Sequence, residues 1–199
     1  PRSVELGLQY HIPIHVRSTF TNEEGTIIRE ESTLEGNDCI IKGVAQDTNT
    51  ARISVLNVKN IPGVAYKVFQ SLAEDNIDVD MIVQSVQTSN DNMTDIVFTI
   101  NSADLNDARK SLGKLKRDGL IPEVVYDDDT AKISVVGAGM LGTPGVAARM
   151  FGALGSVGIN ILIVSTSEIS VSCLIKREDV DKAVQAIHRE FFGKSETNG

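Results

Sequence analysis

The sequence predicts an α+β protein of two βαββαβ units, with the first unit inserted into the second. Three observations carry this. The chain repeats itself: Ala51-Arg52-Ile53-Ser54-Val55-Leu56 returns as Ala131-Lys132-Ile133-Ser134-Val135-Val136, and Pro62-Gly63-Val64-Ala65 returns as Pro144-Gly145-Val146-Ala147. Within each copy, β-rich runs and helical stripes follow the same order. The second copy stops one strand short, while an unassigned strand lies just before the first copy.

The first copy opens with a β-rich run over 51–58. Residues 63–76 place Val64, Val68, Phe69 and Leu72 on one helical stripe. Pro62 stands where a helix start tolerates a missing N–H. Strands follow over 79–87 and 94–101, joined by the polar turn Thr88-Ser89-Asn90-Asp91-Asn92. A second helix over 104–118 aligns Leu105, Ala108, Leu112 and Leu115, with Asp104 as the expected N-cap. A strand over 122–127 closes the unit. This order is that of the split-βαβ, or ferredoxin-like, unit.

The second copy keeps an 82-residue register: Phe69 matches Phe151, Leu72 matches Leu154, Ile77 matches Ile159 and Ser85 matches Ser167. Its elements are expected over 131–138, 145–158, 161–168, 170–177 and 179–191. Residues 193–199 read as a flexible tail. The upstream run Cys39-Ile40-Ile41-Lys42-Gly43-Val44 is the economical fourth strand, since an open sheet edge invites unwanted pairing. The second unit is therefore expected from residues 36–50 plus 129–192, and the first from 51–128. Asp127-Asp128-Asp129 reads as a solvated linker between them. Residues 1–35 match neither copy. They carry a helix end (Val4 to Tyr10), a strand around Ile12-Pro13-Ile14-His15-Val16-Arg17 and a polar hairpin through Asn22-Glu23-Glu24-Gly25, too little for a core of their own.

Composition narrows the function. Of 199 residues, 19 are Lys or Arg and 27 are Asp or Glu, for a net charge of −8. A phosphate-backbone binder carries the opposite sign, so nucleic acid is not expected as a partner. No apolar run approaches the ~20 residues of a membrane span, and no secretory leader is read. A membrane is therefore not expected as a partner, and a cytoplasmic location is expected. Cys39 and Cys173 are too few for a disulfide framework or an iron–sulfur cluster and are expected as reduced thiols. His11 and His15 lie about 13 Å apart if their run is extended, which separates them too far for a metal pair. His188 is expected on a solvated helix face. No nucleophile–base constellation or P-loop is present.

Gly137-Ala138-Gly139-Met140-Leu141-Gly142 satisfies a dinucleotide fingerprint literally. Against that reading, Pro144-Gly145 follows at once as in the first copy, and only 57 residues remain after Gly142, too few for a two-half dinucleotide fold. The alternative is that these glycines let the backbone approach a neighbour closely.

The two Pro-Gly-Val-Ala helix starts carry the stronger chemistry. A helix N-terminus offers free N–H groups and a partial positive charge to a carboxylate. Taken singly, each is only a turn. Together, Ile61-Pro62-Gly63-Val64-Ala65 and Thr143-Pro144-Gly145-Val146-Ala147 resemble ACT domains, which are small amino-acid-sensing modules. Asp80-Met81-Ile82-Val83-Gln84-Ser85, Tyr126-Asp127-Asp128-Asp129, Val136-Gly137-Ala138-Gly139-Met140 and Ile163-Val164-Ser165-Thr166-Ser167-Glu168-Ile169 extend the likeness. Over residues 38–192 they resemble the regulatory region, or beta subunit, of bacterial aspartate kinase. Residues 1–35, with Ser18-Thr19-Phe20 and Gly25-Thr26, resemble the tail end of the kinase domain.

The resemblance implies feedback regulation of aspartate phosphorylation by lysine, threonine or both. ATP and magnesium would belong to a kinase domain outside this chain, which should be inactive alone and needs no cofactor of its own. It implies a homodimer through ACT domains, a kinase domain or catalytic subunit as partner, and two effector positions. One joins Asn60, Gly63, Ala65 and Gln84 to Asn160 and Ile161 of a facing unit. The other joins Val146, Ala147, Ser167 and Glu168 to Asp78, Val79 and Asp80. Two positions depart from the family: Asn60 stands where many relatives carry Asp, and Ala147 where some carry Thr. The competing functions are an ACT sensor attached to another biosynthetic enzyme or regulator, and a nucleotide-binding protein using Gly137 to Gly142.

Overall fold

The computed structural model describes residues 3, 6, 7, 10–21, 23–28, 40–86, 92–138 and 144–193. The chain divides into two compact units, Pro1–Asn37 and Asp38–Gly199. In the small unit, strand β1 (Ile14–Val16) pairs antiparallel with β2 (Thr26–Ile28). The left-handed Gly25, at φ 75, turns the hairpin, and a Cβ there would clash with the Val16 carbonyl. His15 Nε2 lies 2.6 Å from the Glu24 carbonyl oxygen. His11 stands in a turn at φ 54, not in the extended run expected for it. Most of the helix end expected at Val4 to Tyr10 lies outside the described residues, as do Asn22, Cys39, Thr88 to Asp91, Gly139 to Thr143 and the tail beyond Gly193.

The large unit is one six-stranded sheet in the order β4-β5-β3-β6-β8-β7. Its elements are β3 (Ile40–Lys59), α1 (Val64–Glu74), β4 (Val79–Val86), β5 (Met93–Asn101), α2 (Leu105–Arg117), β6 (Glu123–Ala138), α3 (Val146–Ser156), β7 (Ile163–Thr166), β8 (Ser170–Lys176) and α4 (Val180–Phe192). The repeat is visible in the lengths: α1 and α3 each have 11 residues, α2 and α4 each have 13.

Two expected breaks are absent. The runs 39–44 and 51–58 are one strand, β3, and the runs 122–127 and 131–138 are one strand, β6. No Pro interrupts either join, and a continuous ladder leaves fewer backbone groups unpaired. Each long strand serves both βαββαβ halves of the large unit. The first half of β3 pairs with the second half of β6, from Ile40 opposite Ala138 to Asp47 opposite Lys132. The later half pairs from Arg52 opposite Asp127 to Leu56 opposite Glu123. Register shifts between Asp47 and Arg52 bend the ladder at the crossing.

Asp127-Asp128-Asp129 consequently lies inside β6 and is not a linker. Arg52 Nη2 donates to Asp127 Oδ2 at 2.9 Å, and Lys176 Nζ of the second unit stands 3.6 Å from the same oxygen. Among the described residues the Arg52 Nε is buried without a hydrogen-bond partner. Asp104 does not cap α2 through its side chain. A 3-10 turn over Ser102–Asp104 precedes that helix, and Asn101 Oδ1 caps the turn by accepting from the Ala103 N–H at 3.0 Å. Strand β7 is shorter than the expected 161–168 run, because Ser167 and Glu168 turn into β8.

Each unit packs its two helices over its own part of the sheet. Ile53, Val55, Phe98, Leu72 and Leu112 form the first core; Ile133, Met150, Leu154, Ile175 and Ile187 form the second. Fully burying such a side chain contributes roughly 1.5–3 kcal/mol. A third cluster (Met81, Val97, Leu162, Ile163 and Leu174) lies on the sheet faces turned away from the helices and joins the two βαββαβ halves of the large unit. Among the described residues no helix is long and apolar enough to cross a membrane.

Cys173 is a free, buried thiol in the second core, with its Sγ 4.0 Å from Met150 Sδ. Burial pushes its pKa up to about 12 from 9.0. The fold favours the neutral thiol, so its contribution to stability is complete below pH 9 and is lost as the pH rises through 12. In a Cys39→Ser background at pH 8, thiol reagents should label Cys173 only upon unfolding. Rapid labelling of the native protein would contradict this packing.

Candidate functional site

The turn ahead of α1 is fixed on both sides. Asn57 adopts φ 54 where the β3–β5 ladder slips, and its N–H donates to Asp95 Oδ1 at 2.8 Å. The Asn60 N–H donates to the Asn92 carbonyl at 2.8 Å, and Asn92 Nδ2 donates back to the Asn60 carbonyl at 3.3 Å. The chain then reaches Gly63 at φ 91 and ψ −10. A Cβ there would meet nothing within 4 Å, so the left-handed backbone, and not crowding, selects glycine. Gly145 repeats this at φ 102 and ψ −17 before α3. Among the described residues neither helix has a side-chain cap; the Val64 N–H turns back to the Ile61 carbonyl at 3.5 Å, and the next amides of the first turn are available to a carboxylate.

Asn60, Gly63, Ala65 and Gln84 line one cavity of about 320 Å³, within the range of small-ligand pockets. The structure thus brings together the four residues expected from this side. Thr94 and Ile96 complete a wall that the sequence reading did not single out. Thr94 is 2 % exposed, and its Oγ1 donates to the Ser85 carbonyl. The available signal was a hydroxyl in register with the inward-facing Ile96, Phe98 and Ile100. Asn160 and Ile161 do not line this cavity; they precede β7, the first exposed and the second half-buried.

Asp78 and Asp80 line a smaller cavity of about 150 Å³ with Asp47, Asn49, Thr99 and Asn101. Asp47 and Asn49 arrive there through the bend in β3, which a reading of separate strands could not place. The Val79 N–H donates to Asp78 Oδ1 at 3.0 Å, and the Asp80 carboxylate accepts from Lys132 Nζ. Val146, Ala147, Ser167 and Glu168 do not line this cavity. Val146 is buried and Ala147 half-buried at the start of α3, while Ser167 and Glu168 are exposed in the β7–β8 turn. Ser167 Oγ lies 2.9 Å from Ser170 Oγ. Gly137 is buried within β6 and its N–H donates to the Ile169 carbonyl at 2.9 Å, so that amide is committed to the sheet and not offered to a phosphate.

These two glycine-led helix starts sit within a duplicated unit whose family model, the ACT domain, matches residues 40–114 and 133–191. The chain belongs to the ACT-domain family. Its two ACT units are those of an aspartokinase regulatory region. The Corynebacterium glutamicum aspartokinase is 42% identical over 193 residues, covering 96% of this chain and 45% of the relative. The chain thus spans about half the length of the curated relatives it matches. The ligand-free regulatory subunit of Thermus thermophilus aspartate kinase superposes with a TM-score of 0.72 at 38% identity, covering 76% of this chain and 98% of that one. An E. coli aspartokinase III crystallised with lysine and aspartate shares the fold at 23% identity and a TM-score of 0.72, covering 96% of this chain and 42% of that one.

Proposed function

We propose that the chain binds lysine, threonine or both, and so transmits feedback inhibition to an aspartate kinase catalytic domain. The observation that carries this is the cavity where Asn60, Gly63, Ala65 and Gln84 meet the uncapped start of α1. Its amides suit an α-carboxylate, and the Gln84 amide suits a neutral hydroxyl tip. Asn160 and Ile161 would close this site from the facing ACT unit of a second copy. The second site would join Asp78, Val79 and Asp80 to Val146, Ala147, Ser167 and Glu168 across the same dimer, its acids holding the far ammonium of lysine. The β4 and β7 strands form the two edges of the sheet, and side-by-side pairing of ACT units would cover them. ATP and magnesium would act at the catalytic domain, and the assembly would work in the cytoplasm.

Inhibition follows only if the effector binds one kinase state better than the other. Where the coupling acts on affinity, substrate then weakens effector binding by the same factor. Calorimetric titration tests the assignment. Glu168→Gln should weaken lysine about tenfold or more, since a charge-assisted hydrogen bond contributes roughly 1.5–3 kcal/mol and 1.4 kcal/mol is tenfold. Threonine should be spared. Gln84→Ala should do the reverse. Parallel losses of both ligands in intact dimers would overturn the pocket assignment, and a stable monomer with effector present would overturn the assembly.

A further inference from the structure

We propose that Lys132 is a positioning residue that sets lysine selectivity: its ammonium holds the Asp80 carboxylate, and the side-chain ammonium of bound lysine displaces it. This rests on the effector reading above. Lys132 lies in β6, opposite Asp47 of β3 and Leu174 of β8. Its neighbours Ala131 and Ile133 point into the second core, so Lys132 points to the other face of the sheet. On that face Met81 and Val97 of the first unit meet Ile163 and Leu174 of the second. Lys132 reaches across this contact to Asp80 on β4, and so ties one ACT unit to the other.

The two partners are unequally exposed. The Lys132 side chain is 24% exposed and that of Asp80 55%. The cation is held by its surroundings, while the carboxylate keeps an open side on the cavity it shares with Asp47 and Asp78. A lysine ammonium on a four-carbon stem is the same group as the tip of the expected ligand. An incoming lysine therefore meets a carboxylate already neutralised by a chemical copy of itself, and like charges at one acceptor oppose each other. Threonine brings no second ammonium and is indifferent to the pair.

Lys132→Met keeps the length of the stem and removes the charge. In calorimetric titration of the whole chain, with dimer mass checked, lysine should bind about fivefold more tightly, the size expected of a partly exposed ion pair, with threonine within about twofold. Lys132→Gln should agree, and Lys132→Arg should bind lysine no more tightly than the parent. Unchanged or weaker lysine binding by Lys132→Met, or an equal change for both ligands, would overturn the inference. A parent chain that binds neither amino acid would instead overturn the effector reading. The ion pair is checked without ligand by a thermal-melting cycle of Lys132→Met with Asp80→Asn. A non-additive shift is expected, and additive shifts would overturn the pairing.

Discussion

Removal of residues 1–47 should unfold the second ACT unit while the first stays folded. The first half of β3 is the second unit's fourth strand: Ile41 pairs with Gly137, Val44 with Val135 and Gln46 with Ile133. Without it, the outer half of β6 keeps only β8 as a neighbour and becomes an open edge. Ile41 and Val44, which pack against the core of Ile133, Met150 and Ile187, leave with it. Each ladder hydrogen bond contributes about 1 kcal/mol net, and a domain is stable by only about 5–15 kcal/mol. Losing a whole strand and two packed side chains approaches that margin. The first unit keeps its own strand, Thr50 to Lys59, paired with β5. Hydrogen exchange should show α3 and α4 unprotected and α1 and α2 retained, relative to a chain lacking residues 1–37 alone. Equal protection in both chains would contradict the shared-strand topology.

That topology was legible because the repeat is strong and its missing strand is conspicuous. The helical stripe that aligned Val64, Val68 and Leu72 reads directly, since a period-3.6 pattern survives in a single segment, and all three are buried in α1. What did not read was continuity. The polar run Gln46-Asp47-Thr48-Asn49 resembles a loop, and Asp127-Asp128-Asp129 resembles a linker, yet both lie within strands. Pairing between distant segments overrode local preference: Arg52 and Lys176 neutralise Asp127 from two other strands. The candidate site divides in the same way. Asn60, Gly63 and Ala65 are close in sequence, and the repeat drew attention to them. Gln84 joins them because β4 returns beside the same turn. Asp47 and Lys132 come from strands brought there by the sheet, and no local spacing marks them, whereas Thr94 shares the period-2 register of Ile96, Phe98 and Ile100.

Phe98→Ala should cost the first unit about 3–5 kcal/mol, the range for emptying a fully buried aromatic site. Phe98 is fully buried on β5, opposite Ile53 of β3 and Ile82 of β4. Phe69 of α1 meets it edge-on, with ring centroids 5.3 Å apart. The substitution therefore removes both the strand's largest anchor and the helix's contact with it. Thr94 and Ile96, earlier on the same strand, line the α1 cavity, so the damage reaches the proposed threonine site. Ligand binding should oppose the loss, but threonine at 100 times its Kd returns only about 2.7 kcal/mol, less than the expected cost. Leu154→Ala is the matched control. It is the repeat counterpart of Leu72, fully buried in the other core, and should cost about 2–5 kcal/mol there while leaving the α1 cavity intact. Thermal melting with and without threonine separates the two. Phe98→Ala should lower the first unit's transition and weaken the threonine-dependent rise, whereas Leu154→Ala should lower the second unit's transition and keep that rise. A threonine-dependent shift in Phe98→Ala as large as in the parent would show that the effector does not bind over this core.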